Sequence, residues 1–451
     1  MFLVLACLFA LSGGMSIVST LAGGGASGQT ASGYADGIGR AALFQSPTSV
    51  AYFSGSLFIT DTQNMGDWRF STVIRQIDIN SAIVTSLIGG TSIYNHCTDG
   101  VGSSAALNPN ALVADSNAGI IYFTDYRCQS IRAVNIAAKT VTFLAGGASS
   151  PYPSGSTDGI GSNVFFWNPH GITIDEKLST LYVADERFNN IRAIVIATAN
   201  VTTIAGDSSW PNPNMDGGYA DGIGTSALFQ SPTSITYSDG NLFVTDNMKV
   251  IRAISLATQN VTTFAGNVNF NFYCSERISD GVGTNACFSF GLPDYFGFSD
   301  ITAHAGVLYI ADHVNRIRSI GIQSRNSSTL AGCNPYAYGD SVCYGDVDGV
   351  GSSALFSFPS GVAAVERGSG PHNISLYVAD TDSNVIRVIV VDGTLPTTTT
   401  RTNTAAIVGG VAAAVAAAAA VSYIIYKRKF FFGRRPLPAE AEVQLMSDKP
   451  V

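Results

Sequence analysis

Asp-Gly-Ile/Val-Gly, an alternating apolar run, an Asp and then Ile-Arg recur in that order six times along this chain. The Asp-Gly pairs begin at Asp36, Asp99, Asp158, Asp221, Asp280 and Asp348, spaced 63, 59, 63, 59 and 68 residues apart. The Arg positions are Arg75, Arg132, Arg192, Arg252, Arg318 and Arg387. A repeat this regular is one supersecondary unit copied around an axis or along a line. In the fourth copy, Ser234–Ser238, Leu242–Asp246, Val250–Leu256 and Val261–Gly266 read as four short strands, rich in β-branched and aromatic residues and separated by Gly/Asn/Asp/Ser turns. No stretch of the copy carries a useful 3.6-residue period. Four strands in each of six copies predict an all-β, six-bladed β-propeller, with an open solenoid as the rival.

The ends of the repeat decide between them. The sixth copy stops after its third strand, at Gly393, and its missing strand stands at the other end of the chain as Ser16-Ile-Val-Ser-Thr-Leu-Ala-Gly-Gly24. That segment matches Val141–Gly147 and Val201–Gly206, the outer strands of copies two and three. A ring uses such a displaced strand to close its last blade and remove an open sheet edge; a solenoid has no use for it.

At Phe229-Gln-Ser-Pro-Thr-Ser-Ile, Leu242-Phe-Val-Thr-Asp-Asn and Ile251-Arg-Ala-Ile, and at Asn168-Pro-His-Gly-Ile, Leu181-Tyr-Val-Ala-Asp and Ile191-Arg, the copies resemble NHL-repeat propellers. The resemblance covers about residues 16–393, and copy five departs from it with Phe298-Ser-Asp-Ile. It implies a fold and no single function, since propellers host unrelated activities. Related six-bladed enzymes include lyases and lactonases with metals on the ring axis.

The flanks predict a type I membrane protein of the plasma membrane. Residues 1–12, with the apolar run Phe2–Leu11, read as a signal peptide. Residues 405–426 are uncharged and long enough to span a bilayer, and Lys427-Arg-Lys429 places the following side, 427–451, in the cytoplasm. Residues 396–404 form a Thr-rich stalk, and 16–393 the extracellular propeller. Once Cys7 leaves with the signal peptide, six cysteines remain, an even set suited to an oxidising compartment. Spacing favours Cys274–Cys287 and Cys333–Cys343; Cys97 and Cys128 remain, on loops that share a face. Asn200, Asn260, Asn326 and Asn373 open Asn-x-Ser/Thr triplets and read as N-glycosylation sites, the first three at equivalent or nearly equivalent outward turns before an outer strand.

Outside the tail and Arg401, the chain has 17 basic and 29 acidic residues, a net of −12. An acidic ectodomain without a basic stripe excludes nucleic acid as a partner. The recurring Asp61, Asp125, Asp185, Asp246, Asp312 and Asp380 occur in every copy, so they read as structural, accepting backbone N–H bonds, with the recurring Arg paired to an acidic neighbour. The Asp-Gly motif reads as a turn, with Gly at positive φ and Asp in an Asx-type bond.

Function is therefore expected on the face that carries the inter-blade and second-to-third-strand loops. Thr48, Asn110, His170, Thr233, Ser299 and Ser360 align at the mouth of the central channel, one imidazole and five small polar groups with no carboxylate. They hydrate the channel or bind a ligand there. Trp68 and Phe70, on blade one's long loop Asp61–Thr72, and Tyr152 and Trp210, on other loops, are candidate partner contacts. The sequence calls for no cofactor and no metal. Its expected role is a cell-surface binding or adhesion protein for an extracellular protein or glycan. The alternatives are a membrane-tethered lyase or hydrolase with a metal at the channel mouth, with His170 as ligand or base, and a structural coat protein.

Overall fold

The computed structural model describes residues 16–25, 31–64, 70–90, 97–147, 156–207, 217–247, 249–267, 279–288, 300–312, 314–333, 343–368 and 373–391. Six antiparallel sheets follow one another along the chain. Blade two shows the plan. Its inner strand Pro109–Asp115 pairs with Ile120–Asp125, that with Ser130–Asn135, and that with the outer strand Thr140–Gly146. The inner strands of successive blades lie side by side around the axis, with that of blade six beside that of blade one. The sixth blade is completed by Ser16–Gly23, which runs antiparallel to Val385–Val391, with Ser16 opposite Val391. The ring is closed as the displaced strand requires.

Burial follows the strand alternation. Each pair of neighbouring sheets encloses one apolar cluster, including the seam between blades six and one, where Ala22, Phe44, Val50, Ile59, Val365 and Ile386 meet. At the loop face, side chains latch one blade to the next. Asn384 accepts the amide of Ser46 at 2.9 Å, Asn189 that of Ser231 at 2.7 Å, and Asn315 that of Phe358 at 2.9 Å. All three asparagines stand at positive φ, a conformation their short polar side chain tolerates.

Three expectations need correction. Five of the sheets have five strands, not four, because the Gly-Ile/Val of the Asp-Gly motif adds a two-residue strand outside the outer one, as Gly100–Val101 does on Thr140–Val141. In blade five that strand is reduced to a single bridge, Val282 to Asn326. The motif is therefore an edge strand followed by a short 3-10 turn, not an Asx turn. Its second glycine takes the positive φ, +55° at Gly39. Its first must lack a Cβ, which at Gly281 would lie 2.7 Å from the Asn285 carbonyl oxygen. Finally, the long loop expected at Asp61–Thr72 is largely strand. Ser56–Asn64 and Phe70–Asp78 pair as far as Asn64–Phe70, three pairs beyond Asp61, so a ribbon rises ~10 Å above the blade top.

Candidate functional site

Each recurring Arg is wholly or almost wholly buried between two carboxylates of its own blade. Arg75 binds Asp61 at 3.0 Å and Asp36 at 2.9 Å, and Arg132 binds Asp125 and Asp99, both at 2.9 Å. Arg192, Arg252, Arg318 and Arg387 repeat the arrangement with Asp185 and Asp158, Asp246 and Asp221, Asp312 and Asp280, and Asp380 and Asp348. The guanidinium also donates to loop carbonyls, Leu43 and Ala35 in blade one, and lies over a buried ring such as Phe44 or Phe229. A planar fork with five donors suits this many acceptors, which a lysine would not satisfy.

The Asp of the Asp-Gly motif has a second task. The outer strand bulges beside each Ile-Arg, and the carboxylate takes an amide near that bulge: Phe143 to Asp99 at 3.0 Å, Thr203 to Asp158 at 3.0 Å, Thr329 to Asp280 at 2.8 Å. The Arg thus ties the third strand, the outer strand and the incoming connection into one unit. Burial pushes the Asp61 carboxyl up to about 7, Asp185 to about 8 and Asp380 to about 7, outweighing the pull of their arginines and backbone amides. Recurrence in all six blades marks this as architecture, as the sequence suggests.

The axial ring is real for five of its six expected members. Thr48, Asn110, His170, Thr233 and Ser360 line one space on the axis; Ser299 lies outside the described residues. The lining also includes Asp300, so the expectation of a ring without a carboxylate is wrong. Asp300 directly precedes the inner strand Ile301–His304, one residue beyond the expected Ser299 and level with Ser49 and Ser234. The remaining space is about 20 Å³, room for about one water.

Most of the ring's polar groups are spent on holding the next blade. Asp300 accepts from Ser234 Oγ at 2.6 Å and from the amides of Ile301 at 2.9 Å and Val362 at 3.0 Å, so it bridges blades four, five and six. Part of it still faces the axial space, but protein surrounds it, and burial pushes its carboxyl up to about 6 against those three donors. Ser49 Oγ accepts the Leu112 amide at 3.1 Å, and Ser360 Oγ donates to the Thr48 carbonyl at 3.0 Å. Backbones touch as well: a Cβ on Gly171 would lie 2.7 Å from Ser234 Cα, and one on Gly361 2.4 Å from the Thr48 oxygen.

His170 sits among these groups with Nδ1 2.8 Å from the Thr233 carbonyl, so Nδ1–H donates and Nε2 keeps the lone pair. Burial lowers its pKa to about 4, and the ring is neutral. Among the described residues, no acceptor lies within hydrogen-bond reach of Asn110 Nδ2. A neutral imidazole, a carboxamide and an engaged carboxylate around one water's volume can hold a small polar guest.

Among the described residues, three His, Cys, Asp or Glu ligand atoms converge at one place, Cys97, Asp125 and Cys128. It is no metal centre, because the two sulfurs are bonded to each other and Asp125 is held by Arg132. Cys97–Cys128 is a disulfide, one the sequence left open, and Cys333–Cys343 is the bond that spacing favours. Cys287 is disulfide-bonded, while Cys274 lies outside the described residues. So do Trp68, Tyr152 and Trp210; Phe70 begins a strand, and its side chain is not described. Asn200, Asn260 and Asn326 lie at the start of, or just before, an outer strand, and Asn373 just before a second strand. Residues 1–12, 396–404, 405–426 and 427–451 lie outside the described residues as well, and among those described no helix is long and apolar enough to cross a membrane.

No protein-family model matches the chain. Over 160 residues it is 29% identical to NHL repeat-containing protein 2 of Bos taurus, covering 34% of this chain and 21% of that protein. Over 252 residues it is 29% identical to Protein SUPPRESSOR OF QUENCHING 1, chloroplastic, of Arabidopsis thaliana, covering 53% and 22%. The chain thus spans about a fifth of the length of these relatives. Among solved structures, a Bacteroides thetaiotaomicron protein of unknown function superposes with a TM-score of 0.55 at 18% identity, covering 84% of this chain and 77% of the other. An auxiliary nutrient binding protein of the same organism does so with a TM-score of 0.55 at 14% identity, covering 84% and 78%. At those identities the likeness is one of fold. Repeat and ring together make the chain a six-bladed β-propeller whose repeats are similar to those of NHL repeat-containing protein 2.

Proposed function

We propose that the chain is a non-enzymatic cell-surface binding protein, held by a C-terminal span, whose propeller recognises an extracellular protein or glycan through its loop face. The observation that carries this reading is the polarity of the ring. Ser16 and Val391 face each other at the end of the sixth blade opposite the inter-blade and second-to-third-strand loops. The described chain therefore enters and leaves the ring on one face, which leaves the opposite face, with its loops, free of the chain ends. The blade-one ribbon rises from the presented face. The disulfides Cys97–Cys128 and Cys333–Cys343 suit an oxidising compartment.

The tethered lyase or hydrolase gains Asp300 as a second axial group beside His170, but both oxygens of that carboxylate already accept bonds from blades four to six. One comparison tests the two readings. The full chain is displayed on eukaryotic cells and challenged with extracellular protein and glycan libraries, with and without residues 63–71, while its metal content is measured. Saturable binding lost with the ribbon supports the binding reading. A stoichiometric metal lost in His170→Ala and Asp300→Asn, without saturable binding, would sink it.

A further inference from the structure

Three blades carry an asparagine at one and the same place on their outer edge. Asn200 faces Ile160, Asn260 faces Ile223 and Asn326 faces Val282 across the outermost antiparallel pair of blades three, four and five. Each opens a triplet, Asn200-Val-Thr202, Asn260-Val-Thr262 and Asn326-Ser-Ser328. Strand alternation orients it: the middle residue, Val201, Val261 or Ser327, is buried, so the asparagine and the hydroxyl residue two further on share the outward face. The three backbone amides are held alike, by the hydroxyls of Thr198, Thr258 and Ser324, each at 3.3 Å. Among the described residues, no hydrogen bond engages the three side-chain amides.

The residues opposite are aliphatic and open to solvent, 59% at Ile160, 64% at Ile223 and 55% at Val282. In blades six and one, the same register holds the aliphatic pairs Val350–Ile17 and Ile38–Ile83, in which each side chain has an aliphatic neighbour across the strands. The triplets occur where that neighbour is missing, in three successive blades. By strand direction, all three lie towards the face opposite the loops, since outer strands begin there.

We propose that Asn200, Asn260 and Asn326 carry N-linked glycans whose first sugars lie over Ile160, Ile223 and Val282, forming a sugar-covered sector of the rim on the side away from the loops. The proposal rests on the cell-surface reading, because the modification belongs to the secretory route. In the transfer, the asparagine Nδ2 bonds to the anomeric carbon of a lipid-diphosphate-linked oligosaccharide. The bond from that carbon to the phosphate oxygen breaks, the lipid diphosphate leaves, and Nδ2 gives up one proton to the transferase's base. Side chains directly opposite in an antiparallel pair stand ~4.5–5.5 Å apart, about the width of one sugar ring, so the C–H face of the first sugar meets the aliphatic side chain. Asn373-Ile-Ser375 is outside the proposal: Ser375 is buried, and the triplet leads into an interior strand.

The test uses the full chain in secreting eukaryotic cells. Glycans are removed enzymatically in heavy-oxygen water, and the resulting Asp tags are read by peptide mass spectrometry. All three positions are expected to carry the tag. Radical footprinting on intact cells then compares the wild type with Asn200→Gln, Asn260→Gln, Asn326→Gln combined. Labelling of Ile160, Ile223 and Val282 is expected to rise about twofold, as a sugar ~5 Å away covers about half of each side chain. Ile38, equally exposed and without a triplet opposite, serves as the unchanged control. A chain at the cell surface but untagged at these asparagines, or labelling that does not rise, overturns the inference alone. A chain retained in the cytosol with Cys97 and Cys128 reduced overturns the inference and the cell-surface reading together.

Discussion

Arg40 reaches across the seam of the ring to Asp346, with its Nη1 3.4 Å from the carboxylate. Arg40 lies in the 3-10 turn that leads into blade one, Asp346 in the connection into blade six. The other oxygen of Asp346 binds Arg387 at 3.2 Å, and Arg40 Nη2 donates to Thr20 of the closing strand at 2.8 Å. The corresponding positions in blades one and four hold Tyr34 and Tyr219, whose rings lie over the blade arginine instead. The seam thus replaces an aromatic contact with a three-way ionic link. Arg40 is a third exposed, so Arg40→Ala is expected to lower stability by only about 1 kcal/mol. Asp346→Ala leaves a buried Arg387 with one acceptor fewer and is expected to cost about 2–3 kcal/mol. Denaturant midpoints of the two variants and their double mutant measure both terms. Equal losses would show that the link is not what holds the seam.

Arg192 gives the clearest test of the blade clamp. Arg192→Met removes the partner of buried Asp185 together with bonds to Asp158, Phe165 and Thr157. The expected cost is about 3–5 kcal/mol above neutral pH. Adding Asp185→Asn removes the stranded charge and is expected to recover part of that loss, read as a return of the urea midpoint. Arg192→Lys keeps the charge but cannot serve two carboxylates and two carbonyls, and it is expected to fall nearer to Met than to wild type.

The ring itself was legible because its causes are periodic: six copies fix six blades, and the displaced Ser16–Gly23 has one place to go. The fifth strand was not, because two residues show no alternation and Asp-Gly reads as a turn whether or not an edge lies beside it. The arginines were legible as structural but not their partners, since Asp99 and Arg132 stand 33 residues apart and meet only when the connection folds over the outer strand. Asp300 was written in the sequence at the level of Ser49 and Ser234, visible once Ile301 is aligned with Val50 and Ile235. The blade-one ribbon leaves no such trace, because Gln63 to Ser71 lacks apolar alternation and the pairing continues from the hairpin below it.

Asp300 does for blades five and six what Ser49 does for blade two, accepting a backbone amide of the next inner strand. Asp300→Ala leaves the amides of Ile301 and Val362 without this acceptor, and a loss of about 2–4 kcal/mol is expected from roughly 1–3 kcal/mol for each stranded donor. Asp300→Ser supplies the group used in blades one and four and is expected to recover about half of that loss. Thermal unfolding of the two variants separates a general packing defect, which both would share, from loss of the acceptor, which Ser repairs in part.

The same buried carboxyls set the direction of the pH response. Asp61, Asp185, Asp380 and Asp300 have folded pKa values of about 7, 8, 7 and 6, raised from 3.8 first of all by burial. Each binds its proton more tightly in the fold than in the unfolded chain. The stability it contributes is therefore complete below pH 3.8 and is lost as the pH climbs through the folded values. His170 works the other way, since its pKa falls from 6.5 to about 4 and its contribution is lost as the pH drops through that window. One imidazole stands against four carboxyls, and above pH 6.5 it adds nothing to the slope. The melting temperature is expected to be higher at pH 5 than at pH 8, with the steepest fall between pH 6 and 8. Calorimetry across that range checks it: Asp185→Asn should flatten the curve, and a melting temperature that rises with pH would contradict the dominance of burial over the arginine partners.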